Sequence, residues 1–105
     1  MAHDPEVLRI VLHAPTRNAL QRARSNAANI HKEAPQAEVR IVANAEAVLQ
    51  VLEQPDVAAD AVTWLCPNTL RRMELQATAP LQVLPQAAVL AIAVLQLQGW
   101  TYIRA

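Results

Sequence analysis

The segment Thr63-Trp64-Leu65-Cys66-Pro67-Asn68-Thr69-Leu70-Arg71-Arg72 holds the single cysteine of the 105-residue chain, set between an apolar run and a proline. Proline is accommodated in the first turn of a helix, where its missing N–H would have no partner anyway. The spacing therefore places Cys66 at the point where a strand gives way to a helix. The partial positive charge of a helix start favours thiolate over thiol, and the thiolate is the nucleophile. Arg71 and Arg72, one turn on, add to that bias or hold an anion. The alternative is a packing residue, because free cysteine is among the most buried side chains and behaves as a small apolar group.

The other polar residues offer less. His3, His13 and His31 fall on a tail, a strand end and a helix, without metal-ligand spacing. One cysteine leaves no internal disulfide and no multi-thiolate metal site within the chain. A sequence with one glycine builds no glycine-rich phosphate loop. Ser25 and the threonines have no accompanying His–Asp pattern for serine-type hydrolysis. Arg17, Arg22 and Arg24 lie along one helix, but with Glu33 and Glu38 nearby they read as a solvated face. The formal charge is zero, so no global field draws the chain to nucleic acid or to an anionic membrane. The reading thus includes no metal and no cofactor.

The elements that must position Cys66 follow from the alternation of short β-branched runs with longer stretches rich in Ala, Leu and Gln. That alternation predicts a single α/β domain over residues 1–105, with a mostly parallel five-stranded sheet. Strands are expected over 7–13, 38–43, 61–65, 81–84 and 100–104. Helices are expected from Thr16, which caps the first, to Pro35, then over about 45–54, 68–75 and 86–98. Gly99 stands where a left-handed cap closes the last helix. The run Ala87–Leu97 is far short of the roughly 20 residues that span a bilayer. Its apolar character all round predicts cover on every side, hence a homo-oligomer, or else a helix packed on one side only. The N-terminal residues match neither a signal nor a transit peptide, and a reducing cytoplasm is the expected location.

In an open α/β sheet, ligands bind beyond the carboxyl ends of the strands. Parallel pairing would bring His13, Asn44, Cys66 and Pro85 to that one edge.

Cys66, Asn68, Thr69, Leu70 and Arg71, together with Gly99, Trp100, Tyr102, Ile103 and Arg104, resemble two motifs of the DsrE/DsrF-like (YchN-like) family of small sulfur-relay proteins. His13 and Val42-Ala43-Asn44 extend the resemblance over residues 7–104. It implies a three-layer α/β/α sandwich of the flavodoxin-like topology class, assembled as trimers or hexamers. It also implies a persulfide on Cys66, exchanged with sulfur-donor and sulfur-acceptor proteins, and places His13, Asn44, Asn68, Thr69 and Arg71 near the site, which Arg72 joins by its position one turn after Cys66. The chain departs from the family in a shorter stretch between Asn44 and Cys66. It also has Ala45, Ala47, Gln86 and Ala87 where the family has glycines, which alters the mouth of the pocket. Two functions follow: a persulfide carrier, or an oligomeric binding module of the same fold in which Cys66 is structural.

Overall fold

The computed structural model describes residues 8–105. Its elements run β1 (Arg9–Ala14), α1 (Arg17–Glu33), β2 (Glu38–Ala43), α2 (Glu46–Glu53), α3 (Val57–Asp60), β3 (Thr63–Leu65), α4 (Pro67–Arg72), β4 (Gln82–Val83), α5 (Ala88–Leu97) and β5 (Thr101–Arg104). The sheet order is β4-β3-β2-β1-β5, and every pairing is parallel. The fold is the expected α/β/α sandwich.

Crossover handedness distributes the helices. The chain steps from β1 to β4 in one direction, so right-handed connections put α1 to α4 on one face. It then returns past β1 to lay down β5, and the reversal sends α5 to the other face. Two cores result. Ile10, Leu12, Ile41 and Leu65 point to the first, against Leu20 and Ala23 of α1, Val48 and Val51 of α2 and Leu70 of α4. Val11, Val42 and Cys66 point to the second, against Ala88, Ala91, Ile92 and Leu95 of α5. This is the period-two alternation of a sheet buried on both faces.

Local chemistry sets the boundaries. Thr16 caps α1 by accepting the Ala19 N–H at 3.0 Å. Gly99, at φ 94°, closes α5. There the Trp100 N–H reaches the Leu95 carbonyl at 3.0 Å and the Gly99 N–H the Gln96 carbonyl at 3.1 Å, the paired bonds of a Schellman cap. Helix α3, absent from the sequence reading, is a single turn nucleated by Asp56, whose side chain accepts the Ala59 N–H at 3.1 Å. It shortens β3 from the expected 61–65 to Thr63–Leu65. Helix α4 ends at Arg72, three residues early, because Glu74 takes φ 54°. Val7, expected in the first strand, and His3 lie outside the described residues.

The α5 face is only partly covered by its one helix. Leu90 is 52% and Leu97 89% exposed, so α5 packs on one side within a single protomer. Beside it, the Arg40 guanidinium lies 4.5 Å from the ring centroid of Trp64 and 4.9 Å from that of Trp100, a cation held over two aromatic faces. Among the described residues, no helix is long and apolar enough to cross a membrane.

Candidate functional site

Strands β3 and β4 are neighbours whose following helices depart to opposite faces, α4 to one and α5 to the other. Such a divergence opens a crevice at the carboxyl edge of a parallel sheet. Cys66 stands at this point, immediately after β3 and as the residue capping α4. Its Sγ accepts the N–H of Ala88, the first residue of α5, at 3.4 Å. One sulfur therefore meets the starts of two helices. Burial pushes the thiol up. The N–H of Ala88, the N–H and hydroxyl of Thr69 and the N–H of Asn68 outweigh that penalty and leave it below the ordinary cysteine value. Of these donors, the Ala88 N–H is the one within hydrogen-bond distance of the sulfur, and Cys66 makes no side-chain cap hydrogen bond to α4. Cys66 is 5% exposed, so the activated sulfur is nearly closed to solvent.

Thr69 has a second task. It is buried, and its Oγ1 accepts the Ala45 N–H at 3.1 Å, tying α4 to the turn between β2 and α2. Ala45 has φ 52° and ψ −134°, a conformation that glycine adopts freely and alanine does not. Ala45 thus holds a backbone conformation that suits glycine.

Strand register extends the site across the sheet. Val42 pairs with Trp64 and Ala43 with Leu65, so the next step sets Asn44 beside Cys66. Asn44 Oδ1 lies 3.0 Å from His13 Nε2, and the Tyr102 hydroxyl lies 2.8 Å from His13 Nδ1. With Asn44 oriented in this way, Nε2 carries the imidazole proton and Nδ1 accepts the Tyr102 O–H. Burial, and the charge of Arg104, hold His13 below its ordinary value against the opposing Asn44 hydrogen bond. The imidazole is therefore neutral at pH 7. These groups edge a cleft of about 290 Å³ that Val89, Ile92, Ala93 and Gln96 of α5 complete. Cys66 is not among its lining residues.

The expected site residues thus divide. Cys66 and Thr69 meet at the two helix starts, and His13 and Asn44 meet at the adjacent cleft. Asn68 is exposed and accepts a hydrogen bond from Arg71. Arg71 and Arg72 occupy the last turn of α4 and are exposed. Arg17, Arg22 and Arg24 go to separate partners: Glu53 with Gln50, the Ala105 carbonyl, and Asp60. They form no continuous strip. Tyr102 as a partner of His13 escaped the sequence reading, because only the placement of β5 beside β1 reveals it. Ala88 escaped because its contribution is a backbone N–H, which any residue except proline supplies. Among the described residues, no group of three or more His, Cys, Asp or Glu is placed to hold a metal ion.

In comparisons with protein-family models and with curated proteins, no family model and no curated sequence matches the chain.

Proposed function

We propose that the protein carries sulfane sulfur as a persulfide on Cys66, the role implied by the resemblance to DsrE/DsrF-like proteins. The observation that supports this most is the Ala88 N–H on Cys66 Sγ at a thiol held below its ordinary value. In the loading step, the Cys66 thiolate attacks the outer sulfur of a donor persulfide. A new S–S bond forms, the donor's S–S bond breaks, and the donor leaves as a thiolate. In the unloading step an acceptor thiolate attacks the outer sulfur now on Cys66, and Cys66 leaves as a thiolate. Neither step needs an external oxidant or reductant. A lowered pKa serves both, since it raises the thiolate fraction for attack and improves the leaving group. Because Cys66 is 5% exposed, exchange requires the first turn of α5 to move away from the sulfur.

A reducing compartment such as the cytoplasm keeps such a thiol free. The uncovered Leu90 and Leu97 of α5 suit contact with a second copy, in line with the trimers or hexamers that the resemblance implies.

Burial favours a second reading, in which Cys66 is a packing residue of the α5 core and the protein is an oligomeric binding module. Intact-protein mass spectrometry after incubation with a sulfane-sulfur donor separates the two. A gain of sulfur that dithiothreitol removes and Cys66→Ser lacks is expected of the carrier. No adduct, with a native thiol closed to iodoacetamide, rejects the carrier and leaves the binding module.

A further inference from the structure

The two edges of the sheet are built differently. β4 is two residues long, with Pro80 and Pro85 close on either side, so it offers little main chain to another strand. Short edge strands and prolines are the usual means of blunting a sheet edge. β5 has no such protection. All four of its residues are exposed and none is proline, and Ile103 is 40% exposed while belonging to neither core.

The register of β5 shows which of its main-chain groups are free. The Ala105 N–H donates to the His13 carbonyl at 2.9 Å, so Ala105, Ile103 and Thr101 turn their N–H and C=O groups towards β1. Alternation turns those of Tyr102 and Arg104 outward. Among the described residues no strand pairs with them, because β5 ends the sheet on that side. A second β5 can be laid antiparallel to the first about a twofold axis perpendicular to the sheet, and the choice of centre decides what meets. Centred on Tyr102, the pairing calls on the Trp100 N–H, which is already spent on the Leu95 carbonyl. Centred on Arg104, it sets two like charges directly opposite, which is destabilising. Centred on Ile103, it asks only for the free groups: Tyr102 of each copy exchanges both main-chain bonds with Arg104 of the other, and Ile103 meets its own copy in the closer, non-hydrogen-bonded position. Arg104 then stands opposite the Tyr102 ring of the second copy, a cation beside an aromatic face.

We propose that β5 is an interface between two copies of this chain, paired antiparallel about Ile103 into one continuous sheet. A twofold contact of this kind is self-complementary. The axis keeps each face of the sheet on its own side, so the two α5 helices, each packed on its own β5, flank the seam on one face. Neither brings a charged side chain to it. The inference does not depend on sulfur chemistry at Cys66.

Sedimentation velocity over a concentration series tests the interface with wild type, Ile103→Lys, Ile103→Glu and an equal mixture of the two variants. Wild type should form a dimer as concentration rises. Each variant sets like charges opposite each other at the centre and should associate at least about tenfold more weakly. The mixture sets Lys against Glu and should recover most of the loss. Disulfide capture in a Cys66→Ser background reads the register independently. Ile103→Cys should cross-link to itself under mild oxidation at least about tenfold faster than Thr101→Cys, because the pairing holds Thr101 opposite Ala105 of the other copy. A monomeric wild type would leave the edge to an extended segment of another protein and overturn the interface between copies. Unchanged association in both variants, a mixture no better than either alone, or equal cross-linking at the two positions would overturn it too.

Discussion

The N–H of Ala88 donates to Sγ of Cys66 at 3.4 Å, joining the end of β3 to the first turn of α5, the one helix on that face of the sheet among the described residues. The contact is removable without side-chain chemistry. Ala88 is the first residue of α5, a position that accepts proline, and Ala87 already has ψ 145°, as a residue before proline requires. Ala88→Pro should therefore keep the helix, delete the donor and raise the thiol pKa. One hydrogen bond of about 0.5–1.5 kcal/mol corresponds to roughly a two- to tenfold smaller thiolate fraction at neutral pH. The check is the pH profile of Cys66 alkylation in both proteins, with circular dichroism for the helix. An unchanged inflection would show that α5 does not tune the sulfur.

Ala45 gives a prediction of opposite sign. Its φ of 52° with ψ −134° carries a strain of about 1–3 kcal/mol for a residue with a Cβ. Glycine would relieve it, at the expense of about 0.4–1 kcal/mol through a freer unfolded chain. Ala45→Gly should stabilise the fold by about 1 kcal/mol, and Ala45→Val should destabilise it. Urea unfolding midpoints measure both. A less stable glycine variant would mean that the turn is not strained.

What the sequence made legible was the content of local signals. Pro67 after an apolar strand, Thr16 ahead of a polar-faced helix and Gly99 behind an apolar one each mark a boundary through backbone chemistry that neighbouring residues determine. Helix α3 was hidden because its four residues are too few to show a period, and only the Asp56 cap announces it. The joining of Cys66 to Ala88 and of His13 to Tyr102 depends on strand order, which no local pattern encodes. The contrast between Thr69, which supports both the thiol and the Ala45 turn, and Arg71, which bonds its own helix neighbour, is likewise a matter of which way each side chain faces after folding.

His13 makes stability sensitive to mild acid. Burial and Arg104 place its folded pKa below the ordinary 6.5, so the fold favours the neutral ring. Its contribution is complete above the unfolded value near 6.5 and is lost as pH falls through the folded value. Glu53, held low by its hydrogen bonds to Arg17, acts only below the ordinary 4.5. Of these two groups, His13 is the one that acts between these limits. Urea midpoints of the wild type should fall from pH 7 to pH 5, and those of His13→Gln should fall less. Equal slopes would remove His13 as the cause.

Helix α5 carries the last prediction. Its ten residues include no charged side chain, and Leu97, 89% exposed, is not among the residues that line the cleft. Two such surfaces can meet without desolvating an ion, which is the main obstacle to self-pairing of a charged face. An aspartate there restores that obstacle and removes about 1.5–3 kcal/mol of apolar burial. Leu97→Asp should weaken self-association by at least about a hundredfold, roughly 2.8 kcal/mol. Its unfolding midpoint, measured below the concentration of assembly, should hold because the side chain packs on nothing within the protomer. Sedimentation velocity over a concentration series gives the answer directly. Identical distributions for wild type and variant would show that α5 is not an interface between copies. A shift to monomer would make assembly and the mobility of α5 over Cys66 parts of one problem, because the helix that shields the sulfur would also be the helix that a second copy holds in place.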